Sequence, residues 1–215
     1  MVAALVPVVL TLVLRFGLPL AESALLALDR PLDLRPQHPV ICVSAMLLTA
    51  MLAGWVVGFL LLEERENRTL QAIGVTPLTL RGFVLWRLAL PTMIALLGGL
   101  LIMALGDCGV PSAGRAMITA LLAAACAPAF TLFLVGFADN EVEGLALAKI
   151  GGLSFVLPVA ATFVEGPSTW LGGLLPPYWI VRVWLGGPAW MAGAGLACTL
   201  AWGAWLLRRF AARID

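Results

Sequence analysis

The stretch PVICVSAMLLTAMLAGWVVGFLLL, residues 39–62, decides the fold class of this chain. It is 24 residues long and contains no Asp, Glu, Lys, Arg or His. An α-helix needs roughly 20 mainly apolar residues to cross the hydrocarbon core of a bilayer. The stretch is long enough for that crossing and has no polar face for water. It therefore predicts a transmembrane helix.

Further apolar runs lie on both sides of this stretch. Four of them are long enough to span a bilayer: 84–106, 116–138, 144–164 and 186–207. The run at 2–28 is weaker, because Arg15 and Glu22 interrupt it. We count it as a span, since it continues beyond Arg15 and lacks the basic segment that opens a signal peptide. The sequence thus predicts six transmembrane helices.

The composition supports the same fold class. Hydrophobic residues make up 62% of the chain, charged residues 12%, and the mean hydropathy is +1.03. A soluble domain carries roughly a quarter charged residues. In lipid every backbone amide needs a partner within the protein, and the long runs suit helices rather than barrel strands. We expect an all-α integral membrane protein in which residues 1–215 form one transmembrane domain.

The distribution of Lys and Arg predicts the orientation. With six spans the loops alternate between two sides, and the cytoplasmic side carries the excess of positive charge. Eight basic residues fall on the side of the two termini: Arg65, Arg68, Arg81, Arg87, Lys149, Arg208, Arg209 and Arg213. Four fall on the other side: Arg30, Arg35, Arg115 and Arg182. Both termini are predicted to lie in the cytoplasm and the spans in the plasma (inner) membrane.

Motifs of catalysis and of nucleotide binding are missing from the sequence. There is no GxxxxGK[ST] loop, and the only lysine, Lys149, follows an alanine. The single histidine, His38, cannot form a metal site by itself, and we interpret it as a solvated loop residue. The net charge of +1 gives no basic surface for nucleic acid. We predict neither an enzyme nor a cofactor.

The four cysteines are far apart in sequence and form no CxxC pair: Cys42, Cys108, Cys126 and Cys198. Three of them lie within apolar runs. We interpret all four as buried thiols rather than as disulfides or metal ligands.

The segment between the second and third spans, LLLEERENRTLQAIGVTPLTLRGFVLWRL at 60–88, is the most informative polar segment. Its first part has apolar residues at helical spacing around a charged face. Gly74 can end that helix, and Pro77 prevents an immediate restart. The pattern predicts a short amphipathic cytoplasmic helix over 63–73. The alternative is an ordinary solvated loop with an interfacial helix.

Two motifs in this order resemble a known family. The pattern ERExxTLxxxxVTPL at 64–78 is similar to the signature of type-2 ABC export permeases. The stretch ADNEVEGLALAKIGGLSFVLPVAA at 138–161, followed by LLPPYWIVRVW at 174–184, resembles the second half of bacterial drug-export permeases of the fluoroquinolone-exporter type. The resemblance departs at the start of the chain, where the first span is expected to begin at residue 2 and the basic elbow helix of the family is expected to be absent or supplied differently.

The resemblance implies a second permease chain and separate cytoplasmic ATPase subunits, with 63–73 as the coupling helix that transmits their motion. The residues expected to dock the ATPase are Glu63, Glu64, Arg65, Glu66, Arg68, Thr76 and Pro77. Asp139 and Glu141 would form a second contact, through charge-assisted bonds. The alternative for that second loop is a helix cap, with Asp139 or Asn140 at the start of the fifth span.

Two further features concern the spans themselves. Arg15 and Glu22 are candidates for the transport pathway, because an ionisable residue in a span usually faces a partner, a cavity or the interface. Seven residues separate them, roughly 10 Å along a helix, which is too far for a direct ion pair in a straight helix. The Gly54–Gly58 pattern allows another helix to pack closely against the second span. The pattern does not identify that helix.

The outer connection 165–185 is rich in Gly, Pro and Trp, and the resemblance implies a re-entrant segment there. The alternative is an interfacial Trp belt. The function favoured is the permease subunit of an ATP-driven exporter for an amphiphilic or drug-like substrate. The rivals are a secondary transporter or channel driven by an ion gradient, and a membrane assembly protein without transport.

Overall fold

A computed structural model of the chain describes residues 2–27, 34–67, 80–106, 108–109, 112–160 and 167–212. Within these ranges the regular structure is entirely helical. Among the described residues six helices are long and apolar enough to cross a membrane, which confirms the predicted fold class and number of spans.

The first span consists of Val2–Leu12, a π-helical turn at Val13–Gly17 and Leu18–Leu26. The second to sixth spans are His38–Glu66, Leu80–Leu105, Ala113–Phe137, Glu141–Ala160 and Trp190–Ala211. A short 3₁₀ turn, Arg35–Gln37, leads into the second span. Between the fifth and sixth spans lie a 3₁₀ segment, Pro167–Leu174, and a short helix, Pro176–Trp184.

The second and fourth spans form the centre of the bundle. In each of these two helices, 67% of the most apolar 18-residue stretch is buried inside the protein. The corresponding fraction is 17–33% in the other four spans. Gly54 permits this contact: a Cβ at that position would lie 2.5 Å from the Ala127 carbonyl oxygen. The Thr131 hydroxyl donates a hydrogen bond of 2.8 Å to the Gly54 carbonyl. The Gly54–Gly58 pattern therefore faces the fourth span of the same chain.

The prediction of four buried thiols is wrong for two of the cysteines. Cys42, near the start of the second span, and Cys108, just after the third span, form a disulfide with their Cα atoms 5.7 Å apart. The two residues are 66 positions apart in sequence and meet because adjacent antiparallel helices bring these ends together. Cys126 and Cys198 are free thiols, the first buried and the second half-buried.

Two predicted boundaries of the second span are also corrected. Glu63 does not begin a separate helix, because the second span continues through Glu66. At the end of this helix the Asn67 amide donates to the Glu63 carbonyl. No residue in this part of the sequence breaks a helix, so the span simply extends beyond its apolar part. The remainder of the predicted coupling helix lies outside the described residues. At the other end, His38 is the first residue of this helix rather than a loop residue, and its side chain is 24% exposed.

Candidate functional site at the charged end of the bundle

The charges that the sequence singles out meet at one end of the bundle. The second span ends there at Glu66 and the fifth span begins there at Glu141. We call this region the charged end and define it by residues 63–66, Arg87, 136–143 and Arg209. It is the end opposite to the Cys42–Cys108 disulfide, because these groups lie at the two ends of the same helices.

Arg65 joins the second span to the loop before the fifth. Its guanidinium donates to the Ala138 carbonyl at 3.3 Å and to an Asp139 carboxylate oxygen at 3.3 Å. The Asp139 side chain is 62% exposed, so solvent screens this ion pair and it contributes only up to about 1 kcal/mol. The contact nevertheless connects two of the predicted docking residues within the chain.

The start of the fifth span is capped by three polar side chains. The Asn140 side chain accepts from the Glu143 amide at 2.9 Å, and the Glu143 carboxylate accepts from the Asp139 amide at 2.8 Å. Glu66 reaches across from the second span and accepts from the Glu141 amide at 2.8 Å. Carboxylates at a helix N-terminus satisfy free amides and complement the positive end of the helix dipole. The helix-cap alternative is therefore confirmed, with Asn140 as the cap residue.

Glu64 has a partner in the third span. Its carboxylate forms an ion pair with Arg87, and the two side chains are only 20% and 23% exposed. The Arg87 guanidinium also lies 5.4 Å from the centre of the Phe83 ring. Such a half-buried pair is costly to break, because removing one member leaves the other charged group without a partner. Glu64 thus links the second and third spans.

A fourth connection comes from the sixth span. Arg209 donates from Nε to the Gly136 carbonyl at 3.1 Å, and its guanidinium lies 4.1 Å from the centre of the Phe137 ring. The sequence interpretation counted Arg87 and Arg209 only toward membrane orientation. A basic residue within one or two turns of a helix end, with an aromatic residue beside it, was the available signal for a structural role.

The carboxylates of Glu63 and Glu141 are differently placed. Both residues are exposed and border a groove of about 310 Å³ between the second and fifth spans. Its other walls are apolar: Val56, Phe59, Leu60 and Leu145. The predicted docking residues Arg68, Thr76 and Pro77 lie outside the described residues.

Arg15 and Glu22 have separate partners. Arg15, in the π-helical turn, donates to the Leu105 carbonyl of the third span at 3.1 Å. Glu22 accepts from Arg35 at 3.1 Å and lies 3.8 Å from His38 Nε2. Both residues thus make contacts with the segments near the disulfide end. They do not meet at a common site.

Within the described residues, no group of three or more His, Cys, Asp or Glu side chains could hold a metal ion. What the charged end can do chemically is bind: it presents carboxylates, guanidinium groups and helix ends on one surface. The six apolar helices among the described residues define a multi-pass membrane protein.

The chain belongs to the family described as "Fluoroquinolones export permease protein Rv2686c-like", which matches residues 1–207. This finding confirms the resemblance seen in the two motifs and identifies a drug-export permease. Two relatives from Mycobacterium tuberculosis have the corresponding name: fluoroquinolones export permease protein MT2760, of strain CDC 1551 / Oshkosh, and Rv2686c, of strain ATCC 25618 / H37Rv. Each is 29% identical over 191 residues, covering 84% of this chain and 75% of the relative. No solved structure matches.

Proposed function

We propose that this chain is the membrane-spanning subunit of an ATP-driven exporter that moves an amphiphilic or drug-like substrate outward. A separate cytoplasmic ATPase of the ABC type supplies the energy, and a second permease chain completes the transport unit. The observation that carries this proposal is the family match over residues 1–207, which covers five spans and most of the sixth. The sequence has no phosphate-binding loop, so the nucleotide is bound by the partner.

A transport experiment tests this function. Cells that express the chain together with its ATPase should accumulate less fluoroquinolone than cells that express either protein alone. Replacement of the phosphate-binding lysine of the ATPase is the matched control and should restore accumulation. Export by the permease alone, driven by an ion gradient, would contradict the proposal and would identify the protein as a secondary transporter.

The orientation we propose has the charged end and both termini in the cytoplasm. The eight-to-four distribution of basic residues supports it. The disulfide gives independent support, because disulfides persist in oxidising compartments and Cys42–Cys108 lies at the opposite end of the bundle. In a variant without the free thiols of Cys126 and Cys198, a cysteine at residue 63 should react only from the cytoplasm and one at residue 168 only from outside. The reverse pattern would invert the topology.

We further propose that the ATPase docks on the charged end, chiefly at Glu63 and Glu141. Both carboxylates are exposed beside an apolar groove, so a partner surface with basic and apolar side chains would match it. Arg65, Arg68, Thr76, Pro77 and Asp139 remain proposed neighbours of this contact. Glu64 and Glu66 remain proposed docking residues as well, and their carboxylates also bind Arg87 and the fifth span within the chain.

The docking proposal is tested by charge reversal. Glu63→Lys with Glu141→Lys should reduce co-purification of the ATPase while the permease remains folded. One exposed ion pair contributes only up to about 1 kcal/mol, so the double substitution is the fairer variant. Reversal of Glu143, which is also exposed but serves the helix cap, is the control for a general loss of negative charge. Full ATPase binding by the double variant would contradict the proposal.

The connection between the fifth and sixth spans is proposed to re-enter the membrane. Trp202 donates from Nε1 to the Leu174 carbonyl at 2.8 Å, and it lies 12 residues after Trp190, the first residue of the sixth span. At 1.5 Å per residue, Trp202 lies about 18 Å along the sixth span from Trp190. Leu174 thus contacts the middle of the sixth span, which favours a re-entrant segment over an interfacial Trp belt.

A further inference from the structure

An apolar cavity of about 290 Å³ lies between the fourth, fifth and sixth spans and the start of the short helix Pro176–Trp184. The most prominent side chains in its walls are Phe130, Phe133, Leu153, Leu175, Trp202 and Leu206. It is distinct from the charged end, and nothing described so far uses it.

The lining carries no charged side chain. Its hydroxyl group, on Ser154, already donates to the Gly151 carbonyl at 2.6 Å. The thiol of Cys126 is a weak donor and is 2% exposed. An ion placed here would lose its hydration without gaining a partner, whereas an apolar group would gain contacts with the Phe130, Phe133 and Trp202 side chains. The site therefore selects uncharged, apolar ligands.

The cavity adjoins a break in the helical backbone. Leu175 and Pro176 line it, directly after the 3₁₀ segment ends at Leu174. The Gly173 carbonyl accepts from Trp179 Nε1 at 2.8 Å, and the Leu174 carbonyl accepts from Trp202 Nε1 at 2.8 Å. Non-helical backbone at membrane depth occurs where it is buried in protein or lines a cavity, and transporters place their ligand sites at such breaks. Trp202 thus hydrogen-bonds the backbone at the break and also forms part of the cavity wall.

The size of the cavity limits its ligand. An engineered protein cavity of about 150 Å³ lined by aliphatic and aromatic side chains binds benzene. The cavity here is about twice that volume, which corresponds to two fused rings. A single ring would leave about half of it empty.

One wall of the cavity is open to the surroundings. Leu206 on the sixth span is 1% exposed, whereas Leu153 and Ile150 on the fifth span are 54% and 59% exposed. Only 24% of the most apolar window of the fifth span is buried. The wall is closed at Gly151, because a Cβ at that position would lie 3.3 Å from the Phe133 ring of the fourth span. The exposed side chains of this span therefore leave the cavity accessible to an apolar ligand from the surroundings.

We infer that this cavity is a binding site for an uncharged two-ring aromatic group, either a whole molecule or the apolar part of an amphiphile. The inference rests on the proposed function, because it supplies the permease with a place to hold such a substrate. Binding is nevertheless measured without ATPase or ATP, so a failure of transport and a failure of binding are separate results.

The experiment uses 1-azidonaphthalene as an uncharged photoreactive probe on the purified chain in lipid nanodiscs. Labelled peptides are mapped by mass spectrometry, with unlabelled naphthalene as the competitor. We expect saturable labelling within 126–133 and 150–154. Ala129→Phe places a new ring in about half of the cavity and should reduce that labelling at least fivefold. Leu121→Phe is the matched control, because it adds a ring on the same helix at an exposed position outside the cavity.

A second variant guards against misfolding of the first. Ser154→Leu fills the cavity from the fifth span and should have the same effect, with the exposed Val156→Leu as its control. Labelling spread over lipid-facing residues and insensitive to both filling variants would overturn the inference. Protection of the cavity peptides when two chains associate would also overturn it, since the occupant would then be a second copy. Loss of binding with transport intact would remove the site but leave the proposed function in place.

Discussion

The second and third spans are joined at both of their ends, and the two connections differ in kind. At one end Cys42 and Cys108 form a covalent bond between buried side chains. At the other end, about 33 Å away along the second span, Glu64 and Arg87 form an ion pair that is partly accessible to water. The first connection cannot open without reduction, whereas the second can be broken by a competing charge. Any separation of these spans therefore starts at the charged end, where we propose that the ATPase docks.

The disulfide is expected to give the largest effect on stability. Cys42→Ala should lower the free energy of unfolding by about 2–4 kcal/mol, because the bond closes a loop across 66 positions and restricts the unfolded chain. Denaturation in nanodiscs measures this, and a reductant should reproduce the loss in the unsubstituted chain. Cys198→Ala, which removes a free thiol, is the control. Equal stability of the two variants would show that the disulfide does not stabilise the bundle.

The ion pair at the other end should have the next largest effect. Arg87→Ala should cost about 1–3 kcal/mol, because it leaves the mostly buried Glu64 carboxylate without its partner. Glu63→Ala, one residue away and exposed, should change the free energy of unfolding little. The double variant Glu64→Ala, Arg87→Ala should be less destabilised than the sum of its parts. Additive losses would mean that the pair does not join the two spans.

The cap of the fifth span gives a smaller and more local effect. Asn140→Ala should cost about 1 kcal/mol, because the Glu143 amide loses its acceptor. Hydrogen exchange should accelerate at the first turn of the fifth span and remain unchanged in the buried fourth span. Asn140→Asp keeps an acceptor oxygen and should restore protection. Acceleration throughout the bundle would show that the cap supports more than its own helix.

The weakest connection at the charged end is expected between Arg65 and Asp139. A double-mutant cycle of Arg65→Ala and Asp139→Ala should give a coupling energy of up to about 1 kcal/mol that decreases at high salt, since the carboxylate is 62% exposed. The same cycle on Glu64 and Arg87 should be larger and less sensitive to salt. Equal salt dependence of the two cycles would contradict the difference in burial between them.

The groups at the charged end could be found in the sequence, but their contacts within the chain could not. Glu64 and Glu66 lie two positions apart in a polar stretch of the sequence, which predicts that both face a partner protein. Within the chain their carboxylates contact Arg87 and the Glu141 amide, 23 and 75 positions away. Local spacing contains no information about contacts at such separations. By contrast, the Asn140 cap was open to prediction, because a cap depends on residues within one helical turn.

The sequence by itself determined the six spans, their approximate limits and the family, because apolar length and local motifs are properties of consecutive residues. Only the tertiary structure decided that Cys42 pairs with Cys108 and that Gly54 contacts the fourth span. It also decided that a cavity opens beside Trp202. Each of these depends on which helices are neighbours and on how they are rotated. Helices that are apolar on all sides give no such information, since lipid and protein neighbours require the same side chains.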